Sequence, residues 1–157
     1  MSLAVLELND QALLIHTEQG QSISEPGFAQ LTSKGIETGE AARSIAWRSP
    51  QSSFNQYWRQ LNQLPLPSNQ RWARHNADIA FAQIEQLLNA TAAPEKLILS
   101  VPGSFSDEQM SLVTGLIDAS SSQLHAVIDS ALAAGLHCQN QTWIVELQLH
   151  QTVVSLI

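Results

Sequence analysis

The chain has 157 residues, 44% of them hydrophobic and 13% charged, enough for one domain with its own core and too apolar for a disordered segment. Fourteen acidic residues against seven basic ones give a net charge of −7, leaving no surplus of Lys and Arg to neutralise phosphates, so nucleic acid is excluded as a general partner. No apolar run approaches the roughly 20 residues that span a bilayer, and MSLAVLELND lacks the basic start and long apolar core of a signal peptide. The expectation is a cytoplasmic protein without membrane insertion.

In chain order, Leu3 to Leu8 reads as a strand, Asn9-Asp10 as a turn, and Ala12 to His16 as a second strand. Gln19-Gly20 turns into Gln21 to Ser24, and Phe28 to Thr32 follows Pro26-Gly27, together predicting an antiparallel meander. Gly39 to Trp47 has Ala41, Ala42, Ile45 and Ala46 on one helical face, ended by Ser49-Pro50. Ser52 or Ser53 is placed to cap another helix, with Phe54, Tyr57, Trp58 and Leu61 as its packed stripe. Leu64 to Asn69 is a loop. It leads past Arg71 and Arg74, read as a solvated pair beside a surface Trp72, to Asn76 as the cap of a long helix. That helix carries Ala77, Ala80, Phe81, Ile84, Leu87 and Leu88 on one side.

Leu97, Ile98, Leu99 and Val101 form a nearly continuous apolar run, the pattern of a strand buried on both faces. Pro102-Gly103 stops it. Ser106, Asp107, Glu108 and Gln109 then supply a hydroxyl cap, acidic residues for the positive helix end, and a capping-box partner three positions on. The helix that starts there runs to about Ser120, with Met110, Val113, Leu116 and Ile117 at helical spacing. Leu124 to Ile128 is the next strand, so the unit is a parallel β-α-β crossover. Asp129 to Leu136 reads as a short helix, Gln139 to Gln141 as a turn, and Thr142 to Leu149 and Thr152 to Ile157 as two closing strands. The one cysteine, Cys138, excludes an intrachain disulfide and a cysteine zinc cluster and is either a free thiol or, as is commoner for the residue type, a small buried residue. The histidines show no i, i+4 ligand pair, and Gly103-Ser104-Phe105-Ser106 does not match a nucleophile elbow.

The run VPGSFSDEQ resembles the strand-turn-helix of actin-like ATPases, and within them the heat-shock chaperones of the DnaK type, whose pattern there is VPA, an aromatic, then F-x-D-x-Q. The resemblance implies an α/β, ribonuclease H-like fold: a mixed sheet, antiparallel meander then β-α-β, flanked by helices. Residues 1–138 would form the first subdomain of an actin-like ATPase. Residues 139–157 would begin a second repeat, cut short by an apolar strand with no polar tail, as in a fragment of a longer protein.

The same resemblance points to the site. Its first phosphate hairpin matches Leu6 to Gln11, with Glu7 where the family has Asp, Asn9 where it has Gly, and Asp10 and Gln11 where it has hydroxyl residues. The family's catalytic lysine falls at Trp58, beside Arg59, and its catalytic glutamate near Ile128, beside Asp129. Its second phosphate hairpin matches Glu146 to Gln151, without the three glycines that let a backbone approach phosphate. The candidates by resemblance are therefore Glu7, Asp129 and Glu146 for catalysis and Asn9, Asp10, Gln11, Arg59, Gln148, His150 and Gln151 for nucleotide contact. Glu7 and Glu146 are also the candidates for holding a cation through water. The leading expectation is a degenerate, nucleotide-incompetent domain that binds a protein partner, with no cofactor of its own. The alternative is an active ATPase whose full-length form uses Mg-ATP. The terminal hairpin, with open edges and apolar side chains, is expected to favour a homodimer.

Overall fold

The computed structural model describes residues 2–66 and 71–157. The distal part of the predicted loop over Leu64 to Asn69 lies outside them. Strands β1 (Leu3–Glu7), β2 (Ala12–Thr17) and β3 (Ser22–Pro26) form the antiparallel meander, and β7 (Lys96–Val101) and β8 (Gln123–Asp129) add to it in parallel. The order is β3-β2-β1-β7-β8. This mixed sheet has the ribonuclease H-like arrangement expected from the sequence. Between the two parts lie β4 (Ala29–Leu31), β5 (Ile36–Thr38), α1 (Glu40–Ile45), β6 (Ser53–Phe54) and α2 (Asn76–Ala90).

Helix α3 (Asp107–Asp118) is the crossover between β7 and β8, and it starts where the capping box places it. The Gln109 N–H donates to Ser106 Oγ at 3.2 Å, while Gln109 Oε1 accepts from the Ser106 N–H at 3.0 Å. Alternation in the strands sends Ala4, Leu6, Leu13, Ile15, Leu97 and Leu99 to one face. There they join Ile79, Ile84 and Leu88 of α2 and Val113 and Ile117 of α3 in a single core. The chain closes with α4 (Ser130–Ala134), capped by Asp129, and a separate two-stranded sheet of β9 (Trp143–Leu147) and β10 (Thr152–Leu156).

Several expectations are corrected. The segment Phe28 to Thr32 leaves the meander: β4 pairs with β5 and β6 in a second, three-stranded sheet. The predicted helix over Phe54 to Leu61 does not form. A 3-10 turn at Pro50–Ser52 and the short β6 take its start, and Tyr57, Trp58 and Leu61 reach the core from turns. Of the four positions proposed as the inner face of α1, only Ala42 is buried. His75, not Asn76, caps α2, because Asp78 Oδ2 reaches back to accept from the N–H groups of Arg74 at 2.6 Å and His75 at 3.2 Å. Ile98 is only partly buried, so β7 is not covered equally on both faces. Cys138 is exposed, beyond the end of α4. Arg71, Arg74 and Trp72 are exposed as expected, with the Arg71 guanidinium 4.9 Å from the Trp72 ring centre.

Buried Gln83 on α2 ties the turn segment to the sheet. Its Oε1 accepts from Tyr57 Oη at 2.6 Å and Trp58 Nε1 at 2.8 Å, and its Nε2 donates to the Pro26 carbonyl at 2.9 Å. Burial pushes the Tyr57 phenol well above its ordinary value, with the Trp58 indole acting in the opposite direction. A raised value favours the protonated form in the fold. The associated stability is therefore complete below the ordinary phenol value of about 10 and is withdrawn as pH climbs beyond it toward the folded value. Tyr57 is the one tyrosine in the chain, so tyrosinate absorbance in an alkaline titration should rise together with loss of far-ultraviolet dichroism. Ionisation while the fold persists would contradict the buried network.

Candidate functional site

The carboxyl ends of β1, β7 and β8 lie at one edge of the sheet because these strands are parallel. In open α/β sheets this edge is where ligands bind. Four connections meet there: the β1–β2 turn, the loop after β7, the start of α4, and the β9–β10 turn.

Asp10, at the head of the first hairpin, is 4% exposed. Its Oδ1 accepts from the Leu149 N–H at 2.6 Å, and its Oδ2 from the His150 N–H at 3.3 Å, with His150 Nδ1 2.9 Å from the same oxygen. Asn9 Nδ2 donates to the Leu147 carbonyl at 3.4 Å, while Asn9 Oδ1 accepts from the Gln11 N–H at 2.9 Å in an Asx turn. Gln151 Nε2 donates to Ser104 Oγ in the loop after β7 at 3.0 Å and to Gln148 Oε1 at 2.7 Å. Ser130 at the start of α4 donates to Glu146 Oε1, while Glu146 Oε2 and Gln148 Nε2 are buried without a partner. The two hairpin heads are thus in direct contact across the sheet edge.

The candidates divide accordingly. Asn9, Asp10, Gln148, His150 and Gln151 come together in these contacts, and Gln11 is held through its backbone. Asp129 is occupied as a helix cap, its Oδ1 accepting from the Leu132 N–H at 3.1 Å. Glu7 ends β1, paired with Leu14 and Ser100. Trp58 is buried against Gln83, whereas Arg59 is exposed and its carbonyl accepts from Gln109 Nε2 at 2.9 Å, beside the first turn of α3. Among the described residues no group of three His, Cys, Asp or Glu side chains could hold a metal ion. Ser104 and Ser130 were not foreseen, since an isolated serine carries no pattern. Gln83 did leave a signal: a polar residue on the apolar stripe of α2 between Ala80 and Leu87.

No family model and no curated protein matches the chain. Among solved structures, the crystal structure of MreB5 of Spiroplasma citri bound to ADP superposes with a TM-score of 0.73 over 99% of this chain, at 12% identity. The chain has the actin-like ATPase fold. It spans about half the length of MreB5, 48% of that chain. The five-stranded sheet and its helices match the ribonuclease H-like arrangement of a subdomain of that fold. No helix among the described residues is long and apolar enough to cross a membrane.

Proposed function

We propose that this chain is a nucleotide-independent member of the actin-like fold that works as a protein-binding scaffold. The observation that carries the reading is the use of hairpin N–H groups by the chain itself. Those of Gln11, Leu149 and His150 are spent on Asn9 and Asp10. A phosphate needs free backbone donors and close approach, and here a buried carboxylate stands against them. The side chains that stand where the family has glycine, at Asn9 and over Gln148 to His150, add bulk at the same place.

An exposed apolar face supports the same reading. The β9–β10 sheet turns Trp143, Val145, Leu147, Val154 and Leu156 outward, all exposed. A contiguous apolar face of this kind favours protein contact, either with a further part of a longer chain or with a second copy.

The competing reading is an ATPase that uses Glu7, Asp10 and Glu146 in modified roles. The ADP held by MreB5 favours it. It would require Asp10 to release Leu149 and His150 before nucleotide could enter. Calorimetric titration of Mg-ATP and Mg-ADP into this chain, and into the longest natural form containing it, separates the two. The scaffold reading expects no saturable heat in either, and micromolar binding by the longer form would displace it in favour of the ATPase.

A further inference from the structure

We propose that the β9–β10 turn is a carboxylate cradle whose resident ligand is the chain's own Asp10. The inference rests on the scaffold reading and says how the site is kept closed. Two consecutive backbone N–H groups and one imidazole nitrogen converge on the two oxygens of one buried carboxylate. Donors arranged in this way form an anion-binding concavity, and hydrogen bonds to a charged acceptor are the stronger kind.

Asp10 is held in place from behind as well. The Gly27 N–H donates to the Gln11 carbonyl at 3.2 Å, and a Cβ on Gly27 would lie 2.2 Å from the Asp10 carbonyl oxygen. The backbone at the head of the first hairpin is thus packed closely against Gly27. A lone two-stranded sheet is marginally stable in water. The placement of β9–β10 against the main sheet therefore leans on this contact, aided by Gln151–Ser104 and Ser130–Glu146. The carboxylate does internally what a bound oxyanion would do: it joins the hairpins across the sheet edge.

The test is chemical rescue. In Asp10→Ala, the amides of Leu149 and His150 should exchange with solvent at least about tenfold faster than in the wild type. Sodium formate should restore their protection saturably, as should inorganic phosphate if the cradle admits a larger oxyanion, while neither changes the wild type. Asp10→Asn retains the shape, blocks entry of an added anion and lacks the charge; it should show faster exchange that formate does not restore, even should the alanine variant fail to fold. Wild-type exchange rates in Asp10→Asn would overturn the proposal. So would accelerated exchange in a folded Asp10→Ala that neither anion slows. Nucleotide binding by the wild type would remove the scaffold reading but leave these outcomes readable, and failure of rescue would leave that reading standing.

Discussion

Replacing Gln83 by leucine, a residue of nearly the same volume, should lower the unfolding free energy by about 2–6 kcal/mol. The side chain is fully buried and serves three groups at once, the Tyr57 hydroxyl, the Trp58 indole N–H and the Pro26 carbonyl. Leucine fills the volume but leaves the Tyr57 hydroxyl and the Trp58 indole N–H without this acceptor, each at a cost of roughly 1–3 kcal/mol, while the Pro26 carbonyl keeps the Phe28 N–H at 2.7 Å. Because whole domains are stable by only about 5–15 kcal/mol, the urea midpoint should fall sharply. Tyr57→Phe is the control: it removes one donor and leaves Trp58 on Gln83, so about 1 kcal/mol should be lost. A Gln83→Leu protein within 1 kcal/mol or so of the wild type would mean that the network contributes little.

Gly27→Ala should be nearly as damaging, for a steric reason. The added methyl would sit 2.2 Å from the Asp10 carbonyl oxygen and 3.1 Å from its carbon. Both are backbone atoms of a turn between paired strands, so no side-chain rotation relieves the overlap. Overpacking of this sort costs typically about 1–3 kcal/mol, and the upper end is expected here. Relief by movement of the turn would shift Asp10 relative to Leu149 and His150. Loss of stability should therefore come with faster exchange at those two amides. Destabilisation with those amides still protected would show that the strain is absorbed on the β3 side instead.

What could be read directly from the residues was local. The apolar run ending at Pro102-Gly103 and the Ser106 to Gln109 box are complete within a few positions, and β7 and α3 fall where those signals put them. The succession of elements along the chain, antiparallel strands, then helices, then β-α-β, was legible too, since alternation, turn residues and helical spacing each repeat over several residues; the mixed sheet they build came from the resemblance. The segment from Phe54 to Leu61 was misread because its 3- and 4-residue spacing imitates a helix. Its burial is in fact set by Gln83, which lies more than 20 positions away. Asp10 was a candidate for nucleotide contact by resemblance alone. Its partners stand about 140 positions further along the chain, and no local pattern encodes that distance. Cys138 was left between a free thiol and a small buried residue, since residue type alone does not place it; its position after the short α4 leaves it in solvent.

The sheet order has a consequence for synthesis. The first strand to emerge, β1, occupies the centre of the sheet, and its parallel neighbour is the β7 segment, Leu3 lying opposite Lys96 and Glu7 opposite Ser100. At roughly 5–20 residues per second, the roughly 90 residues between them take on the order of 5–20 s to be made. For that interval the nascent meander offers a free β1 edge with Leu6 and Leu8 uncovered, open to pairing with any other extended chain. Late closure of so distant a contact also slows folding. The same topology that brings the two hairpin heads together thus leaves the newborn chain with a vulnerable edge until translation has passed Val101.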